Sequence, residues 1–364
     1  ILLLTIVLSD MGFGLVLPVF LFSAENLGAS PLVATSIVAS YPLGQFLMNP
    51  VWGRMSDQHG RKRILLISTA GVIGAYLIMA AAENLWMLAL GRMMTGILAA
   101  NAPVAMAYIA DITPPEKRTQ GMGLIGGALS IGLVVGPALG GLLGGADAES
   151  ASMRWPGLCA AGLCTLTFIA TLFLKESLPP EKRSRPAAGE HHPGGPADFI
   201  RLMQKPILAR LIIIVFLTFF AVGLFESIVP LWSEARFGWG PRDIGLCFMY
   251  LGLVIAFSQG YLAGKLAARF GEKRLVLYGT GIYGAGLLWM TQSPNWPLMM
   301  IGLTLTAVGG ALAATNMMSL VSHQANEDER GLVLGIYNSS TWMGRFMSPP
   351  ASGLLFQTVS VQTP

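Results

Sequence analysis

The sequence predicts an all-α polytopic membrane protein built from two similar halves. Three observations carry this. Of 364 residues, 53% are hydrophobic and only 12% charged, with a mean hydropathy of +0.61; a soluble domain has roughly 25% charged residues, so this chain lacks a water-facing surface. Eleven long apolar runs follow one another along it. Two short basic loops, half a chain apart, spell nearly the same sequence.

The runs lie near 1–22, 31–52, 64–82, 86–109, 121–144 and 156–174, then 207–230, 243–263, 275–292, 296–322 and 332–357. Each is close to the ~20 residues that cross a hydrocarbon core, and a helix satisfies its own backbone there. An odd count is unusual for a duplicated architecture. The chain starts inside an apolar run without Met and stops at Pro364; the expectation is six helices per half, with trimmed termini and the twelfth helix absent. The halves read as 1–174 and 207–364, the latter with five helices, joined by a linker at 175–206.

Lysine and arginine set the orientation. Loops 53–63, 110–120, 175–206, 264–274 and 323–331 hold 17 of the 23 basic residues, while the alternate loops hold only Arg154, Arg236 and Arg242. The positive-inside rule places the first set, linker included, in the cytoplasm. The Pro- and Gly-rich linker reads as mobile at first, and Phe199, Ile200, Leu202 and Met203 as a short interfacial helix. Basic residues grouped in loops are no nucleic-acid footprint. Cys159, Cys164 and Cys247 lie in apolar runs without metal spacing, and His59, His191, His192 and His323 lie in loops. No nucleophile elbow or phosphate-cradling loop is present, so an enzyme is not expected.

The repeated loop runs Gly53-Arg54-Met55-Ser56-Asp57-Gln58-His59-Gly60-Arg61-Lys62-Arg63, and again from Gly264 to Arg274 at an offset of 211. Internal duplication of helix bundles is a transporter signature. The first copy resembles the loop 2–3 motif of the major facilitator superfamily, matching at Gly53, Asp57, Gly60, Arg61 and Lys62 and departing at Gln58. The resemblance implies a gating latch in which Asp57 caps the eleventh helix near Gly331 to Gly335 and Arg61 pairs with Asp111, both contacts existing only when the cytoplasmic side is closed. The second copy has Ala268 in place of Asp57.

The fifth run carries Gly132, Gly136, Pro137, Gly140 and Gly141. Glycines every four residues make a smooth face for close helix approach. The string resembles the fifth-helix motif of the drug:proton antiporter branch, echoed 212 residues later at Pro349 and Gly353. In the fourth run Leu90-Gly91-Arg92 also resembles that branch; Arg92 is either a functional buried charge or a snorkelling anchor. The first run, from Leu8 to Pro18 with Asp10, is similar to the tetracycline exporters of the twelve-helix group. Two departures argue against tetracycline itself. Ala75 stands where those exporters have a third-helix Asp, and Ile255 where they have an eighth-helix His.

Asp10 and Glu226 interrupt apolar sequence, and Asp111 lies at a boundary. A buried carboxyl group binds its proton more tightly, so Asp10 and Glu226, opposed by Arg92, form the expected proton-coupling set. Asp10 reads equally as a structural hydrogen-bonding group, and Glu226 alternatively as a wetted residue at the mouth. The expected cavity wall includes Gln45, Asn101, Phe225, Gln259, Asn316, Asn338, Trp342 and Arg345, with Arg345 either pairing with an acid or attracting an anionic cargo. A greasy, aromatic cavity with carboxylates suits amphipathic and often cationic cargo. The expected function is proton-coupled efflux of a drug-like or amphipathic small molecule. The alternatives are a metabolite or nutrient facilitator or symporter, and a non-transporting lipid-handling protein. The expected setting is the bacterial inner membrane, as a monomer in lipid, with no cofactor beyond the proton gradient and no metal.

Overall fold

The computed structural model describes residues 1–114, 117–179, 181, 183, 203–324 and 330–359. The interfacial helix expected at 199–203, all but Met203, and His191 and His192 lie outside the described residues. Helices account for every span: α1 Leu2–Asn26, α2 Pro31–His59 and α3 Arg61–Ala80, then α4 Leu85–Leu98 and α5 Asn101–Ile112. These are followed by α6 Arg118–Gly144, α7 Arg154–Leu172 and α8 Pro206–Phe237. The chain continues through α9 Pro241–Phe257, a π-helical segment Ser258–Ala263, α10 Gly264–Phe270, α11 Glu272–Gln292, α12 Trp296–His323 and α13 Arg330–Thr358.

α4 with α5 makes the fourth span, and α9 through α10 the eighth, so eleven spans are present among the described residues. Nine are long and apolar enough by themselves to cross a membrane. α11 and α13 fall short by composition because they carry polar and charged residues such as Glu272, Lys273, Asn338 and Arg345. They belong to the bundle nonetheless, α11 packing along α12 and α13 along α8 and α2. Large side chains such as Leu77, Phe173 and Leu288 are exposed on the outside of the bundle, as a lipid-facing surface requires.

The duplication is visible in the backbone. Gly60 and Gly271, 211 residues apart, both turn the chain at positive φ (97° and 80°), and a new helix starts immediately after each. A side chain would be strained at either. These junctions share one end of the bundle with most of the basic loop residues; it is called the basic end below. At the opposite end the two halves touch where glycines meet backbone and, at Gly353, also the Thr35 hydroxyl. A Cβ on Gly141 of α6 would lie 2.5 Å from the Pro241 carbonyl oxygen, and one on Gly353 of α13 would lie 2.9 Å from that of Pro31. The two contacts are equivalent under the half-chain repeat. Towards the basic end the packing loosens: a Cβ at Gly123, Gly126, Gly127, Gly260 or Gly264 would meet nothing within 4 Å.

Candidate functional site

Between the halves lies a cavity of about 490 Å³, within the range of drug-sized pockets. Its wall is mostly apolar, with Phe13, Phe20, Phe219, Phe225, Phe248 and Tyr283 among the rings and Gln259 and Ile255 from the eighth span. Gln259 belongs to the π-helical segment, a local widening of the helix that is frequent at functional sites. Among the described residues four charged side chains line this cavity: Asp10, Arg92, Glu226 and Arg345.

Glu226 of α8 and Arg345 of α13 form a two-pronged ion pair, Nη1 to Oε2 at 3.0 Å and Nη2 to Oε1 at 3.1 Å. The planar fork of arginine matches a carboxylate in this way. Arg92 is different. It is buried (3% exposed) and sits among the rings of Tyr41, Phe20 and Phe13, at 4.9, 5.3 and 5.6 Å from their centroids. Among the described residues it makes no ion pair, and its Nε is buried without a hydrogen-bond partner. The expectation that Arg92 opposes an ionised acid by pairing with it is therefore corrected for this conformation. The acid that is paired, Glu226, is held by Arg345 instead. Asp10 makes neither an ion pair nor a hydrogen bond among the described residues.

The glycine string of α6 explains how Asp10 is seated. A Cβ on Gly132 would lie 2.6 Å from the Asp10 Cβ, and one on Gly136 2.7 Å from the Met11 carbonyl oxygen; one on Gly140 would collide with the Leu15 carbonyl. Three glycines thus press α6 against α1 around the carboxylate. The fourth, Gly141, faces α9 across the junction of the halves. Pro137 lines the cavity.

Five of the residues expected on the cavity wall lie elsewhere. Gln45 is buried on α2 and donates to the carbonyls of Gly96 and Ala99, both at 3.0 Å. It repairs a break in the fourth span. Pro103 has no N–H for Ala99, so α4 ends at Leu98 and α5 begins at Asn101, with two residues between them. Ser68 donates to Leu98 O (2.6 Å) and accepts from Ala100 N (2.9 Å), and Trp52 donates to Ile97 O (2.7 Å), completing the repair. Asn101 opens α5 and donates to Ser9. Asn316 is buried and donates back to Leu312 O at 2.7 Å within α12. Asn338 is exposed, and the ring of Trp342 packs edge-on against Tyr41. A polar side chain in an apolar span signals buried backbone in need of a donor as readily as a cavity.

At the basic end, Arg61 Nε donates to Asp111 Oδ2 at 3.0 Å, Nη1 donates to Ser56 Oγ at 2.9 Å, and Nη1 meets Asp57 Oδ1 at 2.5 Å. Asp57 is therefore held by its own half, and the expected cap on α13 is absent among the described residues, of which 325–329 are not part. Arg61 and Asp111 pair in this arrangement. Both residues belong to one half, so closure is not needed for their contact. Lys62 donates to Leu172 O at 2.7 Å, while nothing lies within 4 Å of a Cβ at Gly53. Sequence reasoning missed Glu176. Its carboxylate accepts from the backbone of Arg61 (2.8 Å) and Lys62 (3.3 Å), capping the start of α3, and Ser177 shares Asp111 Oδ2. The available signal was an acid placed directly after the sixth apolar run.

Residues 2–265 and 237–364 match the family model described as Major Facilitator Superfamily. A tetracycline resistance protein of class G from Vibrio anguillarum is 32% identical over 363 residues, 95% of this chain and 87% of that one. The chain belongs to the major facilitator superfamily. This facilitator is also 28% identical to multidrug resistance protein 2 of Bacillus subtilis (strain 168), over 98% of its own length and 88% of the relative's. Among solved structures, a bacterial homologue of the human lysosomal transporter Spinster, in an inward-facing and unoccupied conformation, shares the fold with a TM-score of 0.78 at 16% identity, over 98% of this chain and 81% of that chain. The facilitator falls in the drug:proton antiporter group of the family, is a transporter rather than an enzyme, and binds small molecules within the membrane.

Ile255 puts an alkyl group on the cavity wall, and Ala75 is fully buried against α4. The Arg61–Asp111 contact has a counterpart in the second half. Glu272, equivalent to Arg61, faces His323 at 3.3 Å, the equivalent of Asp111, and accepts from Ser319 at 2.6 Å.

Proposed function

We propose that the facilitator exports an amphipathic, drug-like small molecule from the cytoplasm in exchange for protons, by alternating access. The observation that carries this reading is the seat of Asp10. An ionisable group without a partner faces the cavity, at the spot where the antiporter glycines press two helices together. The drug-resistance names of its relatives support the same direction of transport. Positive-inside asymmetry puts the basic end, with residues 175–206, in the cytoplasm. The cavity, sealed at the far end by the Gly141 and Gly353 contacts, then faces the cytoplasm and is poised to load. A monomer in the bacterial inner membrane suffices, since the cavity lies within one chain. Asp10 takes a proton when the site faces outward and releases it inward, while cargo travels the other way.

Inside-out vesicles carrying the protein test this directly. Amphipathic dyes are expected to accumulate inside when respiration acidifies the lumen, and to leak back when nigericin collapses the pH difference. Accumulation indifferent to nigericin would remove proton exchange from the account.

A further inference from the structure

We infer that the cargo bears an anionic group, such as a carboxylate on a flat apolar body, and that Arg92 is its docking point. The inference rests on the export reading above and narrows its substrate class.

A guanidinium in the middle of a bundle is retained at a cost, and an apolar residue of similar volume is the cheaper solution unless the charge is used. Every other charge on the cavity wall has an answer or a different sign. Arg345 is answered by Glu226 through two hydrogen bonds. Asp10, on the same half as Arg92, shares the wall but forms no pair with it within 4.0 Å among the described residues. Among the described residues Arg92 alone is a buried cation facing the cavity with no carboxylate and with its Nε unpartnered. The three surrounding rings stabilise the charge by their quadrupoles and fix the position of the guanidinium. Phe13 and Phe20 offer no lone pair to its N–H groups, and among the described residues no hydrogen bond joins Arg92 to the Tyr41 hydroxyl. An oxyanion supplies what is missing, and the fork geometry of arginine favours a planar carboxylate over a point charge. Phe13 and Phe20 then lie beside the body of the same ligand, on the cavity wall. A cationic cargo meets Glu226 already occupied, and Asp10, the remaining acid on the wall, is the one assigned to the proton.

The test uses the purified full chain and three probes with one ring system: 1-naphthaleneacetate, 1-naphthaleneacetamide and 1-naphthylmethylamine. Equilibrium binding is expected to rank the acetate about tenfold or more above the amide, the size of one charge-assisted hydrogen bond, with the amine weakest. In Arg92→Gln the acetate is expected to fall to within about twofold of the amide, and in Arg92→Lys to keep part of its advantage. The wild-type ranking decides the matter even if Arg92→Gln does not fold. An amide or amine that binds the wild type as well as the acetate overturns the inference, as does an undiminished acetate preference in Arg92→Gln. If amide and amine are exported in vesicles while the acetate is not, the anionic class is wrong and the export reading stands. If none of the three binds or moves, both fall together.

Discussion

Glu226 and Arg345 clasp one another from α8 and α13, at 3.0 and 3.1 Å, on the wall of a membrane cavity. The pair joins two helices of the same half and is partly open to the cavity. Replacing Arg345 by Lys keeps the charge and loses the fork, so transport is expected to fall several-fold with little change in expression. Glu226→Gln strands a cation in an apolar wall and is expected to be the harsher change, about tenfold or more in transport rate. Initial rates in proteoliposomes check both. Equal, small effects would reduce the pair to a wetted surface bridge.

Asp10→Asn is expected to abolish gradient-driven export while sparing downhill exchange of cargo for cargo. Counterflow and pH-driven uptake measured on the same vesicles separate the two. Full pH-driven transport by Asp10→Asn places the proton elsewhere.

Gly141→Ala adds a methyl group where the Pro241 carbonyl leaves 2.5 Å. The halves must part at this end, and overpacking of this kind costs roughly 1–3 kcal/mol. The expected result is a larger distance between spin labels at Asp147 and Gln292, with a population shift towards the state open at that end. Unchanged distances would show that α6 yields locally instead.

Gln45→Leu distinguishes a cavity residue from a repair of the fourth span. It leaves the Gly96 and Ala99 carbonyls without their donor, each at roughly 1–3 kcal/mol. Thermal stability in detergent is expected to drop clearly, with cargo affinity unchanged. Lost affinity at full stability would return Gln45 to the substrate wall.

Asp57→Asn weakens the hold on Arg61 and is expected to slow transport strongly with cargo affinity nearly intact. Glu176→Gln, which weakens the cap on α3, is expected to lower stability first. Transport and melting followed together in both variants sort these roles, and unimpaired transport by Asp57→Asn would leave the loop a topogenic signal.

The fold was legible because membrane helices announce themselves by length and apolarity, and because Gly60 and Gly271 mark the same turn twice. The break at Pro103 was less so: a proline in an apolar run is compatible with a kink or a straight helix, and only the donors Gln45, Ser68 and Trp52 decide it. Asp10, Arg92, Glu226 and Arg345 stand out as charges in apolar sequence. Their pairing does not, since α8 and α13 meet only in three dimensions and 119 residues separate Glu226 from Arg345. Asn101 and Asn316 misled for the reason Gln45 did: sequence shows polarity but not the carbonyl it serves.

The far-end contacts of Gly141 and Gly353 bring the backbones of the two halves together, with the Thr35 hydroxyl beside Gly353. Such Cα–H···O approaches are individually weak, of the order of 0.5–1 kcal/mol. At Gly141 itself the helices can part without withdrawing a side chain from a hole. Weak contacts at the seam leave its position to other terms, and a difference in binding energy of a few kcal/mol between two states shifts the population from one to the other. The glycines act less as a lock than as the low-friction bearing of a balance.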